Sequence, residues 1–192
     1  MKFETLGIHQ AQRVRIERNE DFRGFFARTY CTEEFASAGL PTEAVQSSIS
    51  YNQRSGTLRG MHFQWPPSRE GKLVRCLRGA LFDALLDLRP ESPTYLRHVS
   101  VHLDEDNRDA VFIPHGVAHG FLTLADATEV LYQMTDVYAP ELAAGVRWDD
   151  PSFGIAWPAC NRLVISERDT RYPDFDRGAF EAELALRSRA GR

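Results

Sequence analysis

Only three cysteines, Cys31, Cys76 and Cys160, occur in the 192 residues, an odd number at no metal-like spacing. They exclude a disulfide framework as the organising device and fit a reducing compartment. No apolar run reaches bilayer-spanning length and no apolar signal stretch follows Met1, so a cytoplasmic protein free of membrane is expected. A charge excess of one sign is lacking too: 23 Lys and Arg against 27 Asp and Glu leave a formal net charge of −4. Such a mixed surface offers no broad field for nucleic acid, and any anion must be met locally. Repeats, low-complexity tracts and linkers are absent, and one domain over residues 1–192 is expected.

What is present is β-structure. Short segments rich in β-branched and aromatic residues recur between turn signals, the pattern of an all-β sandwich or barrel. Strands are expected at Gly24–Tyr30, Val45–Ser50, Thr57–Gln64, Lys72–Leu77, Ala80–Leu88, His98–Leu103, Ala110–Ile113 and Thr128–Met134. Gly79 suits a tight hairpin between two of them. One short helix is expected near Thr32–Ala36, with Thr32 as cap and Gly39 as stop, and a second at about Arg177–Leu186. The acidic run Asp104–Asp109 reads as a solvated turn. In Leu81–Leu88, alternation places Phe82, Ala84, Leu86 and Leu88 on one face and Leu81, Asp83, Leu85 and Asp87 on the other, which suits a sandwich whose interior is half core and half cavity and equally one with a solvated sheet face.

Two strands carry chemistry where a structural strand would carry apolar residues. Thr57–Gln64 holds Arg59 and His62, and regular alternation points these two apart. They share a cavity only if Gly60 marks a bulge or if one of them serves a neighbouring subunit. Lys72 sits among Leu73, Val74 and Cys76, which want burial, so it needs an anion or a hydrogen-bonding partner. A neutral imidazole beside an ammonium suits proton abstraction next to a carbonyl, with the cation holding the enolate oxygen. Tyr132 and Tyr138 read by default as packing aromatics, and Asp169 as part of a solvated turn. Pro114-His115-Gly116-Val117-Ala118-His119 has the Pro-x-Gly-x-x-His form of the second cupin motif, but His62-Phe63-Gln64 does not supply the His-x-His pair of a metal cupin. A metal is therefore disfavoured, and His119 reads as a neutral hydrogen-bonding group of the cavity wall.

Taken together, Asp21–Phe26, Leu58–Gln64, Gly71–Cys76, Asp87–Arg89, Ile113-Pro114, His119–Phe121, Leu131-Tyr132, Trp148–Pro151, Gly154–Pro158 and Ser166–Asp169 resemble the dTDP-4-dehydrorhamnose 3,5-epimerase family. The resemblance implies a cupin-type jelly roll, a homodimer, and catalysis without metal or organic cofactor on a nucleoside-diphosphate-linked 4-keto-6-deoxyhexose. It casts His62 as the base at C3 or C5, Asp169 as the residue orienting its ring, Lys72 as enolate stabiliser, and Tyr132 as the acid on the opposite face of the sugar. It assigns Arg23 and Arg59 to the diphosphate, Gln46 to the base-side strand, His119 to the cavity and Tyr138 to stacking on thymine.

Four positions depart from the family pattern, all among substrate contacts. Arg28 stands where glutamate is common and Arg168 where lysine is. Ala144 stands where glutamate often precedes Gly145, and Ser47-Ser48 replace an Asp-Asn pair after Gln46. They favour, as an alternative, an epimerase acting at one centre or on a CDP-, UDP- or GDP-linked sugar. A non-catalytic nucleotide-sugar binding module is the alternative of another class; it would have no use for both His62 and Tyr132.

Overall fold

The structure, a computed structural model, describes residues 1–190. Strands β1 (Lys2–Thr5) and β2 (Gln12–Arg15) open the chain, followed by a small ribbon of β3 (Asn19–Asp21) and β4 (Gly24–Phe26) and by helix α1 (Thr32–Ser37). Five longer strands come next: β5 (Gln46–Asn52), β6 (Thr57–Gln64), β7 (Lys72–Arg78), β8 (Ala80–Asp87) and β9 (His98–Asp104). Then come β10 (Ala110–Ile113), β11 (Val117–Thr123), β12 (Thr128–Met134), β13 (Ala143–Gly145) and β14 (Val164–Ile165). Helices α2 (Glu167–Thr170) and α3 (Arg177–Ala190) end the described chain.

Two sheets face each other. One has the order β1-β2-β10-β7-β12-β5; the other runs β13-β6-β11-β8-β9, with β14 added parallel to β6. Between them lies a core to which β7, β10 and β12 contribute Val74, Cys76, Ile113 and Val130, and β8, β9 and β11 contribute Leu81, Leu85, Leu103 and Phe121. Both outer faces are covered as well. Phe35 and Leu40 pack on Val14, Leu73 and Phe112 outside the first sheet. Val146, Phe153 and Phe180 pack on Met61, Phe63, Leu86 and Leu88 outside the second. Double coverage explains why β8 reads as an almost unbroken apolar run.

The differences from the sequence expectation have local causes. Strand β4 stops at Phe26, four residues short of Tyr30. The cap of α1 is Cys31, with no side-chain cap bond, and Thr32 is the first helical residue; Gly39, at φ +73°, does end the turn. Gly79, at φ +75°, makes no hairpin, because β7 and β8 lie in different sheets and the glycine turns the chain from one to the other. A side chain there would meet Thr128 Oγ1 at 2.5 Å. In the acidic turn Asp109 is buried, with Arg13 and Arg15 at 3.7 and 3.6 Å.

Candidate active site

The inner face of the sandwich turns polar towards one end. There β6 and β11 fall out of step: His119 pairs with His62, but Phe121 pairs with Arg59, so β6 holds one residue more than its partner. This is the bulge that the facing problem of Arg59 and His62 demands. Gly60 adopts φ +139°, and a Cβ on it would sit 2.4 Å from Gly120 Cα, so only glycine fits. With the alternation reset, Met61 and Phe63 pack outside, His62 faces the cavity, and Arg59 reaches towards the opposite sheet, its Nε donating to Asn52 Oδ1 at 2.8 Å.

A cavity of about 360 Å³ opens between the sheets, with Gln46, Ser48, His62, Lys72, Tyr132 and Tyr138 in its wall, Arg168 at its side and Ala144 beside it. An adjoining cavity of about 420 Å³ shares His62 and Arg168 and adds Arg59 and Asp169. His62 thus stands where the two meet. It comes from one sheet and Tyr132 from the other, so the two side chains approach the cavity from opposing walls.

Asp169 lies in α2, not in a solvated turn, and is 2% exposed. Its Oδ1 is 2.7 Å from His62 Nε2, its Oδ2 accepts from the Gly60 amide at 3.4 Å, and its own amide donates to Ser166 Oγ, the helix cap. Burial alone would raise its pKa, but the bonds from His62, Gly60 and Ser166 prevail and hold the carboxyl below the ordinary aspartate range. A carboxylate can only accept, so Nε2 of His62 carries the proton and Nδ1 keeps a free lone pair.

Lys72 finds the anion its burial calls for: Nζ is 2.8 Å from Glu70 Oε1. His119, 4% exposed, shares a 2.6 Å hydrogen bond with Asp83 Oδ1, and its ring stands edge-on to Tyr132 at 5.9 Å between centroids. Burial, then the charge of Asp83, pushes the Tyr132 phenol well above its usual pKa, opposed by Arg59. Tyr132 is therefore a neutral donor over the whole working range of pH. Gln46 Oε1 accepts from the Tyr138 amide at 2.6 Å, tying the base-side strand to the loop after β12. Arg168 Nε donates to Tyr172 at 3.1 Å, which fixes the guanidinium beside Tyr138.

Not every expected contact meets here. Arg23 lies out on the β3–β4 ribbon, ion-paired to Asp21 at 2.6 Å and 5.8 Å from the Phe22 ring centre. Ser47 points to the other side of β5 from Gln46 and Ser48 and is in the wall of neither cavity. Arg28 pairs with Glu34 at 2.8 Å, away from the site. Glu70 carried no mark in the sequence pattern, and Asp83 only its place on one face of an alternating strand; the one available signal for Glu70 is its position two residues before a lysine that needs a counter-charge. Among the described residues, no group of three His, Cys, Asp or Glu side chains is placed to hold a metal, and no helix is long and apolar enough to cross a membrane.

The chain is similar to known proteins over most of its length. The family model for dTDP-4-dehydrorhamnose 3,5-epimerase matches residues 5–177. The enzyme of that name from Methanothermobacter thermautotrophicus is 45% identical over 173 residues, covering 89% of this chain and 92% of its own. The one from Sinorhizobium fredii is 40% identical over 173 residues, covering 90% and 89%. The crystal structure of a dTDP-6-deoxy-D-glucose-3,5-epimerase from Legionella pneumophila, in complex with dTDP-4-keto-L-rhamnose, superposes with a TM-score of 0.87 at 31% identity, covering 95% of this chain and 96% of that one. The sandwich is a cupin-type jelly roll, and the chain belongs to the dTDP-4-dehydrorhamnose 3,5-epimerase family of isomerases.

Proposed function

We propose that this protein inverts C3 and C5 of dTDP-4-dehydro-6-deoxyglucose to give dTDP-4-dehydrorhamnose, with no cofactor. The observation that carries the reading is the placement of the His62–Asp169 pair and Tyr132 on opposing walls of one cavity that also holds Lys72. The C4 ketone acidifies the protons on its neighbouring carbons. His62 Nδ1 takes one of them, the charge moves to the C4 oxygen, and the Lys72 ammonium holds it there. Tyr132 returns a proton from the other side, which inverts the centre. His62 ends protonated and Tyr132 deprotonated, and exchange with solvent resets both.

Arg59 and Arg168, which share the adjoining cavity, suit the diphosphate, with Tyr138 and Gln46 on the nucleobase side. Ser48, Ala144 and Arg168 all reach the cavity and depart from the family pattern, which favours a second reading with another nucleotide or a single centre. The deciding experiment offers dTDP-, CDP-, UDP- and GDP-linked 4-keto-6-deoxyglucose and resolves deuterium uptake from D2O at C3 and C5 by NMR. Preference for dTDP with uptake at both carbons is expected; a clear preference for another donor, or uptake at one carbon alone, would replace the first reading by the second.

A homodimer belongs to the same proposal. Phe22 and Phe26 on the ribbon are 98% and 76% exposed, and Ile49 and Tyr51 on edge strand β5 are 61% and 53% exposed, an apolar area that a second copy would cover. Arg23, which is in the wall of neither site cavity of its own chain, would then serve the neighbour's diphosphate site. Mixing inactive His62→Ala and Arg23→Ala proteins should restore activity; no recovery from a mixture shown to exchange subunits would remove that assignment. The three unpaired cysteines support a reducing, cytoplasmic setting.

A further inference from the structure

Lysine is almost missing from this chain. Two lysines, Lys2 and Lys72, stand against twenty-one arginines. Lys2 is exposed on β1, whereas Lys72 opens β7 with a side chain only 15% exposed, directed into the cavity. This one interior lysine supplies a compact ammonium with three donors, unlike the planar guanidinium fork of the arginines. Its partner Glu70 is more deeply buried, with a side chain 4% exposed, and is the one carboxylate among the described residues in the wall of that cavity.

We propose that Glu70 is a positioning residue for the reaction: its carboxylate aims the Lys72 ammonium at the C4 oxygen of the substrate. The proposal rests on the functional reading above and deepens it at one group. One N–H of Lys72 is taken by Glu70 Oε1, leaving two donors for the cavity. The other charged or titratable groups facing Lys72 are His62 from β6, Tyr132 from β12, Tyr138 from the loop beyond it and Arg168 from α2. Its neighbours in the sheet, Ile113 and Met134, are uncharged. Glu70 is the one acidic side chain in this set, among the described residues, and so the one that can anchor the ammonium by an ion pair. The pair also sits at a fixed corner of the backbone: the Glu70 amide donates to Ser68 Oγ at 3.2 Å and the Gly71 amide to Thr135 Oγ1 at 2.8 Å. A preset ammonium needs no reorganisation as the enolate forms.

The test is Glu70→Gln in the full chain, which keeps an oxygen acceptor and removes the charge. Steady-state kinetics are paired with NMR of the lysine side-chain nitrogens at one fixed pH, where Lys2→Arg leaves a single signal to follow. We expect kcat to fall about tenfold with little change in KM. We also expect the Lys72 ammonium signal, held sharp and displaced by its contact with Glu70 in the parent, to broaden and move in the variant. An unchanged Lys72 signal, or a loss lying wholly in KM, would overturn the proposal. Glu70→Asp covers the case in which the amide variant does not fold: reduced kcat at unchanged KM supports the positioning role, and parent-like kcat overturns it. The NMR signal needs no turnover, so a changed Lys72 signal in a protein that epimerises nothing would count against the functional reading and not against the pair.

Discussion

His62 Nε2 lies 2.7 Å from Asp169 Oδ1 and so joins residues 107 apart in the chain. The contact holds β6 to α2 at the wall of the cavity and decides which imidazole nitrogen is free. Because Asp169 is held below the ordinary aspartate range, it remains an acceptor and the proton of the contact sits on His62 Nε2.

Asp169→Asn should therefore damage the chemistry far more than binding. The amide can present a donor to Nε2, turning the proton onto Nδ1 and removing the base. A fall in kcat of about 100-fold with KM nearly constant is expected from steady-state kinetics. A parent-like kcat would remove Asp169 from the mechanism.

Tyr132→Phe separates the two proton transfers. His62 and Lys72 remain, so deuterium should still enter from solvent, but with retention. Inversion should slow by about 100-fold or more. Stereochemically resolved NMR of the recovered sugar reads both rates, and equal slowing of exchange and inversion would count against an acid role for the phenol.

Gly60→Ala tests the bulge. A side chain there meets the Gly120 backbone at 2.4 Å and must hold φ near +139°. A loss of about 3 kcal/mol is expected, lowering Tm by about 6–12 °C, together with loss of activity as His62 shifts. Calorimetry with an activity assay checks both.

Asp87→Asn tests the buried pair behind the site. Asp87 accepts from Arg89 Nε and a second Arg89 nitrogen at 2.8 Å each, from Ser92 at 2.5 Å and from Thr94 at 2.6 Å. Burial alone would raise its pKa, but these bonds hold it below the usual value. A lowered folded pKa means stabilisation that is full above the unfolded value of about 3.9 and is lost as pH falls through the folded one. The variant should be less stable by about 3 kcal/mol at neutral pH and should approach the parent as the pH drops below about 4. A constant gap down to pH 2 in urea titrations would contradict this.

The long strands were legible because their composition and turns repeat the pleat: β6 occupies the expected residues without change, and β7, β8, β9 and β10 end within a residue or so of expectation. Strand β11 was not among the expected strands. Gly120 and His119 interrupt its pattern, and the glycine is there because a Cβ would meet Met61 Sδ at 2.6 Å beside the bulge. Turn chemistry marked Gly79 as a corner but could not say that the chain changes sheets there. In the site, Lys72 announced itself as a charge among residues that want burial, and Gly60 as the point where alternation must break. Asp169 did not, since its partner lies on a strand 107 residues earlier, and only the resemblance gave it a role. Glu70 and Asp83 have meaning only once the two sheets close over them.

The central claim is that His62 removes the ring proton beside the ketone. Its most direct measurement follows dTDP-4-dehydro-6-deoxyglucose in D2O by position-resolved NMR, with the parent protein and with His62→Ala. Deuterium should enter at C3 and C5 with the parent and, with the variant, at a rate lower by about 100-fold or more at both carbons. Exchange at the parent's rate in His62→Ala would contradict it.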